Sequence, residues 1–222
     1  VRWFIERFSR DAIRYYICAI MPEGKDAAFD WDEFLNRYNG ELCDVVGNFV
    51  HRSLTMAVKN FDNRVPDPGA FDNEDRALLD SLPTQLDGIA ESIENFRFRQ
   101  ASERLIDMGR RANVYFDGKA PWTTRKTDLV RTATTLYVCC QVVRALCTAL
   151  APIAPDGAAK LARIVGVTLP VGGPDGGDDG WNAAKSGLPA GAPLLQPEVL
   201  FPKLDPEVVE ALAAEHAAGQ AT

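Results

Sequence analysis

Residues 30–61 read DWDEFLNRYNGELCDVVGNFVHRSLTMAVKNF and carry the clearest helical pattern in the sequence. Its apolar side chains recur every three or four residues over many turns, which is the pattern of an amphipathic helix with one buried face. The stripe consists of Trp31, Phe34, Leu35, Tyr38, Leu42, Val45, Val46, Phe49, Val50, Leu54 and Ala57. Asp30 is placed to cap this helix. Gly47 predicts close packing against a neighbouring helix, because an interior glycine otherwise costs ~1 kcal/mol relative to alanine.

The same periodicity predicts further helices on both sides of this stretch. They cover residues 9–21 (capped by Ser9), 73–81, 84–96, a continuation to about 116, a long helix capped by Thr123 or Thr124 that runs to about 152, and 156–164. We expect breaks at Pro22, near Leu82–Pro83 and at Asp117–Gly118, where proline or glycine disfavours a continuing helix. No strand pattern of comparable length precedes Val165. The sequence therefore predicts an all-α helical bundle.

The C-terminal quarter of the chain differs in composition. Residues 166–203 are rich in glycine and proline and contain the run GGPDGG at 172–177. We expect a partly ordered, irregular C-terminal arm that is held to the bundle by a few apolar side chains. These anchors are Trp181, Leu188 and the segment VLFP at 199–202. A short helix is predicted at 207–216, so the expected parts are 1–29, a bundle at 30–165, and an arm with its terminal helix at 166–222.

Composition excludes several classes of protein. With 222 residues, 46% of them apolar and 25% charged, the chain has the make-up of an ordinary globular domain. No apolar run reaches the ~18–20 residues of a membrane span. The five cysteines are odd in number and lie in apolar stretches, so we expect buried free thiols in a reducing, cytosolic setting. Together with two histidines at these spacings they predict no metal site.

The net charge of −7 is unevenly distributed along the chain. Residues 165–222 hold eight acidic and two basic side chains, whereas residues 97–126 hold eight basic and three acidic ones. Overall acidity argues against broad affinity for polyanions such as DNA, but a local basic face is compatible with contacts to a few phosphates. A solvated face of mixed charge explains the same pattern.

One candidate binding face lies on the polar side of the central helix. Asp44, Asn48 and Arg52 are spaced i, i+4, i+8 and so share one face over two turns. Asparagine offers a donor and an acceptor, and arginine offers a planar fork that pairs with a base edge or a phosphate. The alternative is a salt-bridge ladder in which Asn48 connects Asp44 with Arg52.

A second candidate is the pair Pro121–Trp122, between two long predicted helices and close to Arg125 and Lys126. An indole on such a loop stacks on an unpaired base, which is worth ~1–3 kcal/mol in single-strand binders. The alternative is a tryptophan that fills the gap between two helix ends.

These residues carry a family resemblance. The run from Asn39 to Arg52 resembles the pattern N-x-E-L-x-x-x-x-G-N-x-x-x-R of the anticodon-binding domain of methionyl-tRNA synthetases. The stretch ANVY at 112–115, followed by Pro121–Trp122 and Lys126, resembles that family's A-N-x-Y…P-W…K motif. DAIRYY at 11–16 and the closing W…L-F-P arm match as well. The motifs occur in the same order over essentially the whole chain, and the Gly-Asn and Pro-Trp pairs favour methionine over the related leucine, isoleucine, valine and cysteine synthetases.

The resemblance implies roles for individual residues. Asn48 and Arg52 would hydrogen-bond the first anticodon base, a cytosine, while Trp122 stacks on it and Pro121 shapes the platform. The family usually has asparagine where this chain has Asp44. Asp44 is included among the candidate site residues, where it would either pair with Arg52 or accept a hydrogen bond from the cytosine amine.

The resemblance also implies an enzymatic context. The parent enzyme would be a class I methionine–tRNA ligase that uses ATP with Mg²⁺, acts in the cytoplasm and binds tRNA-Met through its CAU anticodon. The ATP-binding and adenylate signatures of the family do not occur in this chain. We therefore expect a fragment that binds tRNA, partners a separate N-terminal catalytic domain and is inactive alone, with residues 1–29 as the linking segment. Alternatives are a paralogue recruited to specialised metabolism and a non-catalytic helical interaction module.

Overall fold

The computed structural model describes residues 2–22, 28–169 and 179–220, and within them the chain is all-α. The elements are α1 (Arg2–Ile5), α2 (Arg10–Ile20), α3 (Trp31–Arg37), a π-helical segment (Tyr38–Gly47), α4 (Asn48–Asn60), α5 (Asn73–Glu94), α6 (Phe98–Lys119), α7 (Pro121–Thr124), α8 (Leu129–Leu150), α9 (Pro155–Val165), α10 (Asp179–Lys185) and α11 (Pro206–Gln220). The one β-bridge in the described ranges joins Arg64 to Pro193 and ties a loop to the arm. The predicted all-α bundle is confirmed.

Helix α8 forms the centre of the core. Nearly every side chain from Thr132 to Leu150 is buried, and α4, α5, α6 and α9 pack around this helix. By length and composition α8 could cross a membrane, which corrects the expectation that no run is apolar enough. Its most apolar 18-residue window is 94% buried inside the protein. In this structure α8 is therefore the core helix of the bundle.

Two helix starts form as their sequences predict. The Ser9 hydroxyl accepts a hydrogen bond from the N–H of Ala12 at 3.1 Å, and α2 begins directly after it. The Asp30 carboxylate accepts a hydrogen bond from the N–H of Glu33 at 2.7 Å. Both side chains satisfy backbone donors that the first helical turn leaves without partners.

The central helix differs from the predicted continuous α-helix. It runs from Trp31 to Asn60 without a break, but Tyr38–Gly47 is π-helical. Gly47, at the end of this segment, packs against the arm and not against a helix: a Cβ placed on Gly47 would lie 3.5 Å from the Phe201 ring. The apolar stripe predicted the buried face correctly, but it carried no information about the local widening of the helix.

The predicted break at Leu82–Pro83 is wrong, because α5 continues through Pro83. An interior proline costs ~3 kcal/mol in lost hydrogen bonding and steric conflict. Burial of the apolar face on both sides of Pro83 outweighs this cost. That face comprises Leu78, Leu82, Leu86 and Ile89.

The connection between α6 and α8 also differs from expectation. Helix α6 does not end at Asp117–Gly118 but runs to Lys119 and stops at Ala120, whose backbone is left-handed with φ 43° and ψ 57°. Pro121 then starts the short helix α7. Neither Thr123 nor Thr124 caps α8; the Asp128 carboxylate does so by accepting the N–H of Arg131 at 2.8 Å.

The arm follows the bundle surface on buried apolar side chains, as expected, although the anchors differ in part. Leu188, Leu200 and Phe201 are buried, whereas Trp181 is half-buried and Val199 is 59% exposed. Ala184 and Leu194 are further anchors that composition did not identify. The predicted connection after Pro22 falls partly on residues 23–27, and the glycine run at 172–177 lies with them outside the described residues.

The five cysteines are free thiols. Cys18 is half-buried and the other four are buried in the bundle. Burial raises the pKa of the Cys140 and Cys147 thiols to about 12, so both are neutral at physiological pH.

Gly157 at the start of α9 is expected to be essential for docking of the arm. A Cβ at this position would overlap the Phe201 ring, which is buried. We expect Gly157→Ala to lower the free energy of unfolding by ~1–3 kcal/mol, because the ring must move out of a packed site. Urea unfolding measures this change. The matched control is Gly118→Ala in α6, where a Cβ meets nothing within 4 Å; equal stability loss in both variants would contradict the prediction.

Candidate nucleic-acid interface

The Arg52 and Trp122 side chains come together on the surface of the bundle. The Arg52 guanidinium carbon lies 5.5 Å from the centre of the Trp122 ring and 4.8 Å from that of Phe116. The two rings are 5.7 Å apart and inclined by 54°. Trp122 is 40% exposed, so it does not fill the gap between helix ends. We call Asn48, Arg52, Phe116, Pro121 and Trp122 the Arg52–Trp122 site.

Asn48 lies one helical turn before Arg52 on α4 and is exposed. Residues at i and i+4 are neighbours on a helix surface. In the part of the chain that the structure describes, the Asn48 side chain makes no hydrogen bond. Its amide donors and carbonyl acceptor are therefore open to solvent, one helical turn from Arg52.

The salt-bridge ladder suggested by the spacing does not form. Arg52 donates to the Asp117 carboxylate of α6 at 2.9 Å. Asp44 pairs instead with Lys203 of the arm, at 2.8 Å, which corrects the alternative in which Asp44 pairs with Arg52. A π-helix closes i→i+5 hydrogen bonds and so winds more slowly than an α-helix. Asp44 lies within the π-helical segment, whereas Asn48 and Arg52 lie on α4.

A hydrogen bond from α6 supports the π-helical segment. The Asn113 amide donates to the Val45 carbonyl oxygen at 2.9 Å and also to the Gly109 carbonyl oxygen of its own helix. Buried backbone carbonyls need such partners. Asn113 therefore ties α6 to the turn just before Asn48, and helps to set the direction in which α4 presents its polar face.

Local backbone conformation presents the indole. Ala120 adopts the left-handed conformation that ends α6, and Pro121 begins α7 with the fixed φ that suits a first helical position. Pro121 is buried and Trp122 is exposed. The proline therefore fastens the short turn to the bundle while the next side chain projects beside Arg52.

An ionic network stabilises the turn that carries Trp122. Lys119, with a side chain only 12% exposed, contacts Asp72 at 2.7 Å. Arg131 at the start of α8 donates to the fully buried Asp75 carboxylate at 2.8 Å. The Tyr115 hydroxyl donates to the same carboxylate at 2.6 Å. These contacts join the start of α5, the end of α6 and the start of α8 around the Trp122 turn.

The network shifts the pKa values of its carboxyl groups. Hydrogen bonds from Lys119 and from the N–H of Asp75 lower the pKa of Asp72 to about 2. Burial alone would raise the pKa of Asp75, but hydrogen bonds from Arg131 and Tyr115 outweigh it, and the net shift is downward.

We expect the network to lose stabilising energy in acid. The folded-state pKa of Asp72 lies below its ordinary value, so its carboxylate stabilises the fold above about pH 4, and this contribution is lost as the pH falls towards about 2. In Asp72→Asn the cap of α5 is retained without the charge. Circular dichroism should show a shallower acid-induced loss of stability in this variant than in the unmodified chain. Asp67→Asn, at an exposed loop position, is the control; identical pH profiles for all three proteins would contradict the expectation.

Two basic side chains border the site. Arg125 and Lys126 are exposed just after Trp122 and form no ion pair within the described ranges. Several other bases of the 97–126 stretch are paired with carboxylates, among them Lys119 with Asp72 and Arg111 with Asp107. Arg97 and Arg104 are likewise exposed and form no ion pair within the described ranges, so the unpaired basic side chains of this stretch lie towards the start of α6 as well as beside Trp122. No group of three or more metal-ligating side chains occurs among residues 2–22, 28–169 and 179–220.

Comparison with known families decides what this arrangement belongs to. The sequence model described as the anticodon binding domain of methionyl tRNA ligase matches residues 65–221. The model described as tRNA synthetases class I (M) matches residues 1–54. The chain belongs to the methionyl-tRNA ligase family. Asn48 and Arg52 lie in the part that matches the class I synthetase model, and Pro121 and Trp122 lie in the part that matches the anticodon-binding model.

Individual relatives agree with the family match. The chain is 37% identical over 204 residues to the methionine–tRNA ligase of Pyrococcus abyssi, covering 92% of this chain and 27% of that protein. It is 38% identical over 214 residues to that of Salinibacter ruber, covering 93% of this chain and 30% of that protein. The crystal structure of apo Mycobacterium tuberculosis methionyl-tRNA synthetase superposes with a TM-score of 0.82 at 32% identity, over 90% of this chain and 40% of that one. The chain thus spans about a third of the length of these relatives.

The structure adds contacts that sequence reasoning missed. The Phe116 ring packs against the Arg52 guanidinium, and the Asp117 carboxylate accepts a hydrogen bond from it. Asn113 supports the turn before Asn48. The sequence signal was weak: Phe116 marked only the predicted end of a helix, and nothing in the spacing placed α6 opposite α4.

Proposed function

We propose that this chain binds the anticodon loop of tRNA-Met and serves as the tRNA-reading part of a methionine–tRNA ligase. The observation that carries the proposal is the position of the Arg52 guanidinium, 5.5 Å over an exposed Trp122 ring. Asn48 stands one turn away with its amide open to solvent. Stacking surface and hydrogen-bonding groups thus meet at one place, which is what recognition of an unstacked base requires.

The proposed ligand at the Arg52–Trp122 site is the first anticodon base, a cytosine. Cytosine presents an exocyclic amine donor next to a ring-nitrogen acceptor and a carbonyl acceptor. The Asn48 carbonyl oxygen would accept from the amine, and Arg52 would donate to the two acceptors. Trp122 would stack on the ring, with Pro121 fixing the turn. Asp117 already accepts a hydrogen bond from the Arg52 guanidinium and so holds its orientation. The remaining guanidinium N–H groups would donate to the base.

Contacts to the RNA phosphates would come from the two unpaired basic side chains beside the site. Arg125 and Lys126 are placed to neutralise phosphates of the same loop, which adds affinity without sequence information. The overall charge of −7 disfavours binding of RNA elsewhere on the molecule.

The wider setting follows from family membership. We propose that residues 30–165 act as the anticodon-binding bundle, that residues 1–29 link it to a class I catalytic domain, and that residues 166–222 form an arm against the bundle. The catalytic domain would make methionyl-adenylate from methionine and ATP with Mg²⁺, and transfer methionine to tRNA in the cytoplasm. The relatives that support this setting are named methionine–tRNA ligases.

Replacement of Arg52 tests the proposal. We expect Arg52→Ala to reduce the preference for a CAU stem-loop over a GAU stem-loop about tenfold or more, because hydrogen bonds to a charged donor are worth ~1.5–3 kcal/mol. Fluorescence anisotropy with labelled stem-loops at fixed salt measures both affinities. Arg111→Ala is the matched control, since Arg111 also forms an exposed ion pair on the bundle, with Asp107. Unchanged discrimination in Arg52→Ala would contradict the proposal.

A further inference from the structure

A cavity of about 520 Å³ opens where α10 packs against α5 and the end of α8. None of the residues of the Arg52–Trp122 site lines this cavity, which we call the α10 pocket. Trp181 of α10 and Ile93 of α5 are half-buried and give the pocket apolar walls. Its volume lies within the roughly 300–1,000 Å³ that is usual for small-molecule sites.

The most deeply buried side chain that lines the α10 pocket is Thr148 of α8, which is 1% exposed. The Thr148 hydroxyl oxygen accepts a hydrogen bond from the Arg144 guanidinium at 2.5 Å. Among the residues that the structure describes, the Thr148 hydroxyl proton has no acceptor. Thr148 therefore has a hydrogen-bond donor left over for a ligand in the pocket.

Arg144 places a positive charge behind this hydroxyl. The Arg144 side chain is buried, and within the described ranges Thr148 is its one hydrogen-bond partner and no carboxylate pairs with it. Burial lowers the pKa of Arg144, but arginine stays protonated at neutral pH. A buried cation without a counter-charge is costly, so it favours an anion nearby. The deep end of the α10 pocket thus attracts an anionic acceptor, such as a carboxylate.

The exposed edge of the same pocket has the opposite charge. Asp87, Glu91 and Glu94 are spaced i, i+4, i+7 on α5 and so share one face of that helix. Asp87 pairs with Lys185 at 2.5 Å and holds α10 against α5. Glu91 and Glu94 are exposed, and neither forms an ion pair in the part of the chain that the structure describes. They are placed to bind a cationic group.

We propose that the α10 pocket binds a free amino acid with an apolar side chain. The ligand carboxylate accepts a hydrogen bond from Thr148, its ammonium group pairs with Glu91 or Glu94, and its side chain packs against Trp181. A phosphate would be repelled by the carboxylates of α5, and a polyamine offers no acceptor to Thr148. The opposite charges at the two ends of the pocket therefore favour a zwitterion.

The test compares L-leucine with two analogues that each lack one of its charges, by isothermal titration calorimetry on the full chain. L-leucinol has a hydroxymethyl group in place of the carboxylate, and isocaproate lacks the ammonium group. We expect L-leucine to bind with a dissociation constant below about 1 mM, which is ordinary for a ligand of this size. Each analogue should bind about tenfold or more weakly, because each loses a hydrogen bond to a charged group.

Thr148→Val removes the proposed donor but keeps the shape of the side chain. In this variant the preference for L-leucine over L-leucinol should fall from about tenfold to about one. The matched control is Thr135→Val. Thr135 is also buried on α8 and accepts a hydrogen bond from an arginine, Arg131, but it lies near the start of that helix. This variant should keep the preference.

A double variant, Glu91→Gln with Glu94→Gln, tests the other end of the pocket without touching the core. It should lose the preference for L-leucine over isocaproate and keep the preference over L-leucinol. The inference is overturned if L-leucine does not bind at several millimolar, if it binds no more tightly than L-leucinol, or if Thr148→Val retains the preference. Each of these results leaves the proposed tRNA function standing, because the Arg52–Trp122 site shares no residue with the α10 pocket.

Discussion

Trp122→Ala is expected to weaken binding of a CAU stem-loop by ~1–3 kcal/mol, equivalent to roughly five- to 150-fold in affinity. The indole is 40% exposed and lies 5.5 Å from the Arg52 guanidinium, so it offers a face on which a base stacks. Its removal should leave the fold intact, because the buried member of the turn is Pro121. Anisotropy titration measures the affinity, and thermal unfolding verifies the fold.

Phe96→Ala is the control for the loss of an exposed aromatic ring. Phe96 is 78% exposed and precedes α6, at the opposite end of that helix from Trp122. The 22 residues of α6 place the two positions about 30 Å apart. We expect no change in stem-loop affinity for this variant. Equal losses in both variants would mean that a general aromatic surface, and not the Arg52–Trp122 site, binds the RNA.

Asp75→Ala is expected to lower the free energy of unfolding by ~3–5 kcal/mol. The Asp75 side chain is fully buried, accepts from Arg131 and Tyr115, and closes the capping box at the start of α5 through the N–H of Asp72. Its removal leaves the buried Tyr115 hydroxyl without its acceptor and the largely buried Arg131 guanidinium with only longer contacts, to Asp72 at 3.3 Å and to Thr135 at 3.4 Å, so both groups then carry a desolvation cost. Urea unfolding followed by circular dichroism measures the loss.

The matched control is Asp80→Ala, an exposed position on the same helix. Surface substitutions of this kind usually change stability by less than about 0.5 kcal/mol. A loss below about 1 kcal/mol in Asp75→Ala would show that the network around the Trp122 turn contributes little to stability, which is the opposite of the expected result.

The sequence predicted those parts of the fold that depend on local periodicity and on short-range capping. Ser9 and Asp30 cap their helices as expected, since a cap involves only residues within one turn. The prediction of a break at Pro83 was wrong because the energetic cost of an interior proline is local, whereas the burial that offsets this cost comes from other helices. The π-helical segment was missed for a similar reason: its support comes from Asn113, 68 residues away from the Val45 carbonyl oxygen.

For the candidate site, spacing predicted that Asn48 and Arg52 share a face but gave no distance from either to Trp122. The family resemblance alone joined these residues, and the structure places Arg52 against Trp122. Asp44 shows the opposite outcome. Its spacing suggested a link to Arg52, but its partner Lys203 lies 159 residues further along the chain. A pairing between such distant segments cannot be predicted from the residue spacing in a single sequence.

We propose that Asn48, Arg52 and Trp122 form one site for an unpaired cytosine. The decisive experiment titrates the unmodified chain with CAU and GAU stem-loops at the same salt concentration and follows the quenching of tryptophan fluorescence. We predict tighter binding of the CAU loop by about tenfold or more. Equal affinity for the two loops would contradict this claim.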